Sequence, residues 1–242
     1  MKWGVVIGGV ALAALVSLPA ASPARAADMT PIPQRAAPSG YIPAQFLWTG
    51  FYLGAGGGYG WGTSQFFDPF GTTASPNLKG FLVGGVTGIN YQISSVVLGL
   101  EGDFTGTWLK GTAGDTVGNA LQTQVFWTAS ITGRLGMAFD RLLIYGKGGV
   151  GFDYDRDTVT LPDSSSAIGS ANRAGWTVGG GVEYAITEHW TGRLEYDYFR
   201  FPVKGFMFTG GPSSLLAGPS LNRGGNVGLN INELKYIMAY KF

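Results

Sequence analysis

Apolar and polar positions alternate with a period of two over most of the chain, and helical spacing is scarcely present. Such alternation marks β-strands whose two faces meet different surroundings. In the first segment Phe51, Leu53, Ala55, Tyr59 and Trp61 share one face, and Tyr52, Gly54, Gly56, Gly58, Gly60 and Gly62 the other. In the second, Phe81, Val83, Ile89 and Tyr91 oppose Gly80, Gly84, Gly88 and Asn90, while Leu82 and Val86 weaken the contrast. The third sets Val96, Leu98, Leu100 and Phe104 against Val97, Gly99, Glu101, Asp103 and Thr105. The fourth is the clearest: Val125, Trp127, Ala129, Ile131 and Leu135 oppose Gln122, Gln124, Thr128, Ser130, Thr132 and Arg134. The fifth places Leu142, Ile144, Val150, Phe152 and Tyr154 opposite Arg141, Tyr145, Lys147 and Asp153, and the sixth Trp176, Val178, Val182 and Tyr184 opposite Arg173, Thr177 and Glu183. In the seventh, Trp190, Leu194, Tyr196 and Tyr198 face away from Arg193, Glu195 and Asp197. In the last, Leu234, Tyr236, Met238, Tyr240 and Phe242 face away from Glu233, Lys235 and Lys241.

The links between these segments alternate in length. Short ones lie near Gln92–Ser95, Ala138–Asp140 and Thr187–His189; long polar ones lie near Ser64–Asn77, Leu109–Leu121, Asp157–Ala171 and Phe201–Asn230. Short inner turns and long outer loops in this order suit eight up-and-down strands with both chain ends on the periplasmic side of an outer membrane. The expected fold is therefore all-β, an eight-stranded antiparallel up-and-down transmembrane β-barrel. Alternation alone would equally suit a soluble barrel with its apolar face turned inward. Composition decides between them: only 13% of residues are charged, whereas a soluble exterior is about a quarter to a third charged. Aromatic residues towards the strand ends, Phe51, Trp61, Trp127, Trp176, Trp190 and Tyr198, are candidates for girdles at the two membrane interfaces. Because hydrocarbon cannot satisfy backbone N–H and C=O groups, strands that span it must close on one another.

The N-terminus lacks this periodicity. Lys2, an apolar stretch from Trp3 to Leu18, and Ala24-Arg25-Ala26 form a signal-peptide pattern, with cleavage expected after Ala26. Residues 27–46, with Pro31, Pro33, Pro38 and Pro43, read as an extended periplasmic leader, which leaves 47–242 for the barrel. Losing Lys2 and Arg25 takes the basic count from 16 to 14 against 15 acids, a net charge of −1. No charge excess points to nucleic acid. The absence of Cys excludes disulfides, thiolate metal sites and a lipoprotein anchor.

An eight-stranded barrel is only wide enough inside for side chains. The inward ions, Glu101, Asp103, Glu183, Glu195, Asp197 and Glu233 against Arg134, Lys147, Arg193, Lys235 and Lys241, should form a paired lumen network, since buried charges of one sign would be costly. Glu101 and Asp103 belong to that network rather than to a catalytic pair.

The run Trp48-Thr49-Gly50-Phe51-Tyr52-Leu53-Gly54-Ala55-Gly56-Gly57-Gly58-Tyr59-Gly60-Trp61-Gly62 resembles the opening strand of the alphaproteobacterial outer-membrane surface-antigen (porin-like) family, small eight-stranded barrels of the OmpA and OmpX type. Leu135-Gly136, Tyr145-Gly146-Lys147-Gly148-Gly149, Glu183-Tyr184 and Leu194-Glu195-Tyr196 extend the resemblance over roughly Trp48 to Phe242. It implies exposed antigenic loops, and roles that vary among members between envelope integrity, haemin binding and weak porin activity. The ending, with Lys235, Tyr240 and Phe242, resembles the signal read by the barrel-assembly machinery, although many such signals have Gly in place of Ile237.

Other chemistry is thinly represented. The Gly-rich runs open no helix and are not followed by the acid a dinucleotide site needs. The lone histidine, His189, lies at an inner turn, away from an outer-rim catalytic site. No cofactor, metal or enzymatic activity is expected, and the expected partners are outer-membrane lipid, lipopolysaccharide and the assembly machinery. The expected function is a structural surface barrel that supports the envelope. A narrow diffusion channel and a loop-borne receptor for a haemin-like ligand or a partner are the alternatives. The apolar residues Phe206, Met207, Phe208, Leu215 and Leu216 in the last loop are expected to fold over the barrel mouth.

Overall fold

The computed structural model describes residues 46–67, 73–114, 120–160, 166–205 and 226–242. The barrel unit spans Ala44–Phe242, and Met1–Pro43 is a separate unit that lies outside the described residues. The signal peptide, nearly all of the Pro-rich leader and the apolar part of the last loop therefore also lie outside them. Eight long strands form the wall: β1 Gly50–Phe67, β2 Asn77–Ile93, β3 Val96–Gly114, β4 Ala120–Phe139, β5 Leu142–Thr160, β6 Ser166–Ala185, β7 Trp190–Gly205 and β8 Asn226–Lys241. A two-residue strand, Thr73–Ala74, pairs with the far end of β1. Each strand is antiparallel to its chain neighbour, and β8 returns to pair with β1 from Tyr52↔Lys241 to Phe67↔Asn226, closing the sheet into a barrel; β6 meets β7 only over Trp176–Ala185, so its Ser166–Gly175 half is paired on the β5 side alone among the described residues.

Tight links join β2 to β3 and β4 to β5, where Ser94 (φ 55°) and Asp140 (φ 53°) adopt the left-handed conformation, which Asp tolerates better than most side chains. Between β6 and β7, the Thr187 hydroxyl accepts hydrogen bonds from the backbone N–H groups of His189 and Trp190. At the opposite end the strands run well past the expected loop boundaries: β3 continues to Gly114 and β5 to Thr160. Hydropathy marks where a wall meets lipid, whereas the hydrogen-bonded ladder continues beyond the lipid into residues with loop-like composition.

Over the central part of the barrel the outward face is apolar and the inward face polar, as period-two alternation requires. Leu98, Leu100 and Phe104 are exposed on β3 while Glu101, Asp103 and Thr105 are buried inside it. Towards the long-loop end the pattern inverts. There the buried inward residues include the apolar cluster Leu78, Leu109, Val125, Phe199, Phe201, Leu229 and Ile231, beside the buried Thr123, Asp153, Asp155, Asp157 and Arg173. The outward ones are polar: Lys79, Lys110, Gln122, Arg156 and Arg200 are exposed. The hydrophobic effect accounts for this switch, since an apolar exterior is stable against hydrocarbon but a wall surrounded by water must bury its apolar residues inside. One barrel is thus membrane-type in its middle and soluble-type at its long-loop end.

This switch corrects the expected facing of β4. Val125 is buried inside rather than sharing the outward face of Trp127, and the exposed Gln122 takes the outward side. The cause is a β-bulge: Val125 pairs with Asp155 and Trp127 with Tyr154, so Phe126 is an extra residue that shifts the parity of everything beyond it.

Inward glycines let the tightly curved wall pack. A Cβ on Gly58 would collide with the backbone of Leu234 and Lys235, whereas one on Gly146, which faces outward, would meet Gly179 O at 3.8 Å. Gly58→Ala should therefore lower stability by about 1–3 kcal/mol through overpacking, and Gly146→Ala should be nearly neutral. Urea unfolding of both variants in phospholipid vesicles checks the contrast, and equal losses would refute it.

Candidate functional site

The candidate site is the interior itself, which is filled in layers. At the short-turn end Phe46, Trp48, Val97, Ala138, Leu143, Tyr145 and Ala185 form an apolar cluster. Phe46 and Trp48 precede β1, so the chain folds across the mouth before entering the wall. Trp48 is 1% exposed; its indole N–H donates to Asp140 O (3.1 Å) and its backbone N–H to Gln92 Oε1 (2.8 Å). Asp140 Oδ1 accepts from the Phe46 backbone N–H (3.2 Å), so the residue that turns the β4–β5 link also ties down this stopper. The leader read over residues 27–46 gives way to the barrel one residue sooner, since Phe46 is buried against the Trp48 ring, with centroids 4.8 Å apart.

Above the stopper lies the ion network. Glu101 on β3 is its hub: its carboxylate accepts from Arg193 Nη1 (2.6 Å), Lys147 Nζ (3.2 Å) and the Tyr52 hydroxyl (2.6 Å), with Arg134 Nη1 3.8 Å away. Arg134 also pairs with Glu183 and stacks its guanidinium 3.6 Å from the Tyr145 ring centroid. Glu195 accepts from Lys147 Nζ (2.7 Å) and the Tyr145 hydroxyl (2.5 Å). Lys147 also reaches Asp197 (3.1 Å), and Lys235 joins Asp197 (2.9 Å), Asp103 (3.0 Å) and Glu233 (3.5 Å). Threonine hydroxyls serve two of the carboxylates: Thr191 donates to Glu183 (2.6 Å) and Thr128 to Glu233 (2.9 Å). All these ions are buried. In such a low-dielectric interior, a mixed and cross-linked set holds where separate charges would not.

The structure therefore brings together Glu101, Asp103, Arg134, Lys147, Glu183, Arg193, Glu195, Asp197, Glu233 and Lys235. Lys241 is the exception: it sits at the short-turn mouth, donates to Leu47 O and lies 4.4 Å from the Phe46 ring centroid. Its parity is right for the lumen, but β8 ends there and the stopper separates it from the ions. The cross-linking hydroxyls of Tyr52 and Tyr145 were not among the expected network residues, although both fall on the inward parity.

The third layer is the apolar cluster of the inverted section, which closes the interior towards the long-loop end. Within that section Arg173 pairs with Asp153 (3.0 Å) and Asp155 (2.5 Å), and the Thr123 hydroxyl donates to Asp157 (2.5 Å). On the outside, Phe51 and Trp190 lie near the short-turn end, and Trp61, Trp127, Trp176 and Tyr198 lie further along. Phe242 packs beside Phe51 and Tyr240, with ring centroids 5.6 and 5.1 Å apart. The lumen residue Lys235 and the outward Tyr240 and Phe242 thus occupy opposite faces of β8.

Residues 9–211 match the family described as the outer membrane protein beta-barrel domain. The chain belongs to this family. Among its relatives, a 31 kDa outer-membrane immunogenic protein of Brucella melitensis is 36% identical over 207 residues, covering 78% of this chain and 85% of that protein. A 22 kDa outer membrane protein of Rhizobium leguminosarum bv. viciae is 33% identical over 168 residues, covering 69% and 71% respectively. Among solved structures, Neisserial surface protein A aligns with 80% of this chain and 98% of its own, at 16% identity and a TM-score of 0.40. The chain is thus a β-barrel protein of the bacterial outer membrane, as its family and these relatives are, and its exposed apolar mid-section is its lipid-facing belt.

Proposed function

We propose that the protein is a non-conducting structural element of the envelope: a rigid, plugged wall segment that carries long loops, with neither a transport path nor a catalytic role. The observation that carries this reading is the ion network packed between two apolar layers. An ion crossing the barrel would have to displace Trp48, break hydrogen-bonded pairs and then pass the Phe199 and Phe201 rings. Beside the network, the gap lined by Leu82, Val86, Asp103, Lys235 and Ile237 leaves no room for a water molecule.

In this reading the chain is exported by its N-terminal signal and cut after Ala26. The β8 strand, with Tyr240 and the Phe242 that follows it, is recognised by the barrel-assembly machinery. The short-turn end faces the periplasm together with both termini; the inverted section at the long-loop end, built for a watery exterior, supports that orientation. Reconstitution in planar bilayers tests the main point: no steady unit openings are expected under applied voltage. Steady openings that disappear in Lys147→Ala would place a path through the network and replace this reading with the narrow-channel one.

A further inference from the structure

We propose that the outer wall carries a binding row for the phosphate groups of a phosphorylated membrane glycolipid, the lipid A portion of lipopolysaccharide. The inference rests on the reading that the long-loop end lies in the outer leaflet. Register sets out the row: Lys79 on β2 pairs directly with Lys110 on β3, Lys110 with Gln124 on β4, Gln124 with Arg156 on β5, and Arg156 with Ser170 on β6. All five face outward; Lys79, Lys110, Arg156 and Ser170 are exposed and Gln124 is half-buried.

The row sits where the lipid-facing belt ends. On each of three strands the preceding outward residue, nearer the middle of the barrel, is aromatic: Phe81 before Lys79, Trp108 before Lys110 and Tyr154 before Arg156. Two residues of strand are about 7 Å, the step from the edge of the hydrocarbon, where aromatic rings gather, into the headgroup layer. Tyr198 and Arg200 repeat the pattern on β7, off the row. At the short-turn end no strand repeats it: the outward series close on residues such as Phe51, Phe139, Tyr184 and Trp190.

Two features make the row an anion site rather than a merely solvated rim. Lys79 and Lys110 are directly opposed across neighbouring strands, an arrangement of like charges that is destabilising by itself. No acid of the described strands relieves it, because each of them faces the lumen, and the ion pairs of the described residues include none of Lys79, Lys110 and Arg156. Meanwhile Arg156 is held in place, its guanidinium 5.3 Å from the ring of the bulge residue Phe126. From Lys79 to Arg156 is three inter-strand steps, about 14 Å, enough for a headgroup that bears two phosphates. The ammonium and guanidinium groups would pair with the phosphate oxygens, and the Gln124 amide and Ser170 hydroxyl supply neutral donors between and beside them.

Native mass spectrometry of the folded full chain in dodecylmaltoside micelles tests the row, using bisphosphorylated lipid A and the same lipid A stripped of phosphate. The wild type is expected to bind the phosphorylated form at least ten-fold more tightly. The triple variant Lys79→Gln, Lys110→Gln, Arg156→Gln should lose that preference while retaining heat-modifiable gel migration, and Lys110→Gln alone should lose part of it. Equal binding of both lipids by the wild type, or an undiminished preference in the folded triple variant, would overturn the proposal. A loss in Arg200→Gln as large as in the triple variant would overturn it too, since that arginine lies off the row. Micelles have no sides, so failure here leaves the orientation and the plugged interior to their own tests.

Discussion

Replacing Glu101 by Gln is expected to destabilise the folded barrel by about 3–5 kcal/mol, the usual penalty for breaking a buried ion pair from one side. The side chain keeps its shape but loses the charge that faces Arg193, Lys147 and Arg134. Those cations cannot turn to water, because they lie between two apolar layers, and their other partners already serve several donors. Urea unfolding in phospholipid vesicles, followed by tryptophan emission, measures the loss. Adding Arg193→Gln to the same chain removes the most closely held of the stranded cations. The double variant should therefore be less damaged than the sum of the single ones, with a coupling of up to about 3 kcal/mol. A Glu101→Gln loss below about 1 kcal/mol, or strictly additive variants, would mean that the network is loosely hydrated and the plug weaker than its geometry implies.

Trp48→Ala is expected to cost a similar amount, about 3–5 kcal/mol, for a different reason. The indole is the largest side chain of the short-turn cluster, and no neighbour can collapse into its place without moving the Asp140 turn, whose carbonyl it also bonds. Trp48→Phe should retain most of the packing and lose mainly that hydrogen bond, about 1 kcal/mol. The same unfolding assay separates the two effects. An alanine variant as stable as the wild type would show that the stopper is dispensable.

Most of the wall was readable from local pattern, because strand side chains alternate whatever the partner strand is. Eight runs of alternation, the polar identity of the inward face and the apolar identity of the mid-section all follow from residues such as Leu98, Leu100 and Glu101 in their own order. Non-local terms override the local pattern at a few places. The parity of Val125 is broken by one inserted residue, Phe126, which alternation counts as an ordinary position. The ends of β3 and β5 lie beyond where alternation stops, because composition becomes loop-like while the ladder continues. Lys241 has the parity of a lumen residue but the depth of a rim residue, and depth depends on where the chain in front of β1 folds.

What the sequence by itself determined is the two-faced strand, its repetition eight times, the short and long links, and the sign and number of charges that had to be accommodated inside. These are properties of neighbouring residues and of totals. Tertiary structure alone decided which charges meet: Glu101 on β3 finds Arg193 on β7, and Lys235 on β8 finds Asp103 on β3, across a lumen whose width only closure of β1 on β8 defines. It also decided that Trp48 stops the short-turn mouth, that the inside and outside exchange polarity beyond the lipid, and that Lys79, Lys110 and Arg156 fall into one row. Periodicity is set within a strand, whereas register and closure are set between strands, and a charge acquires a partner only when both are fixed.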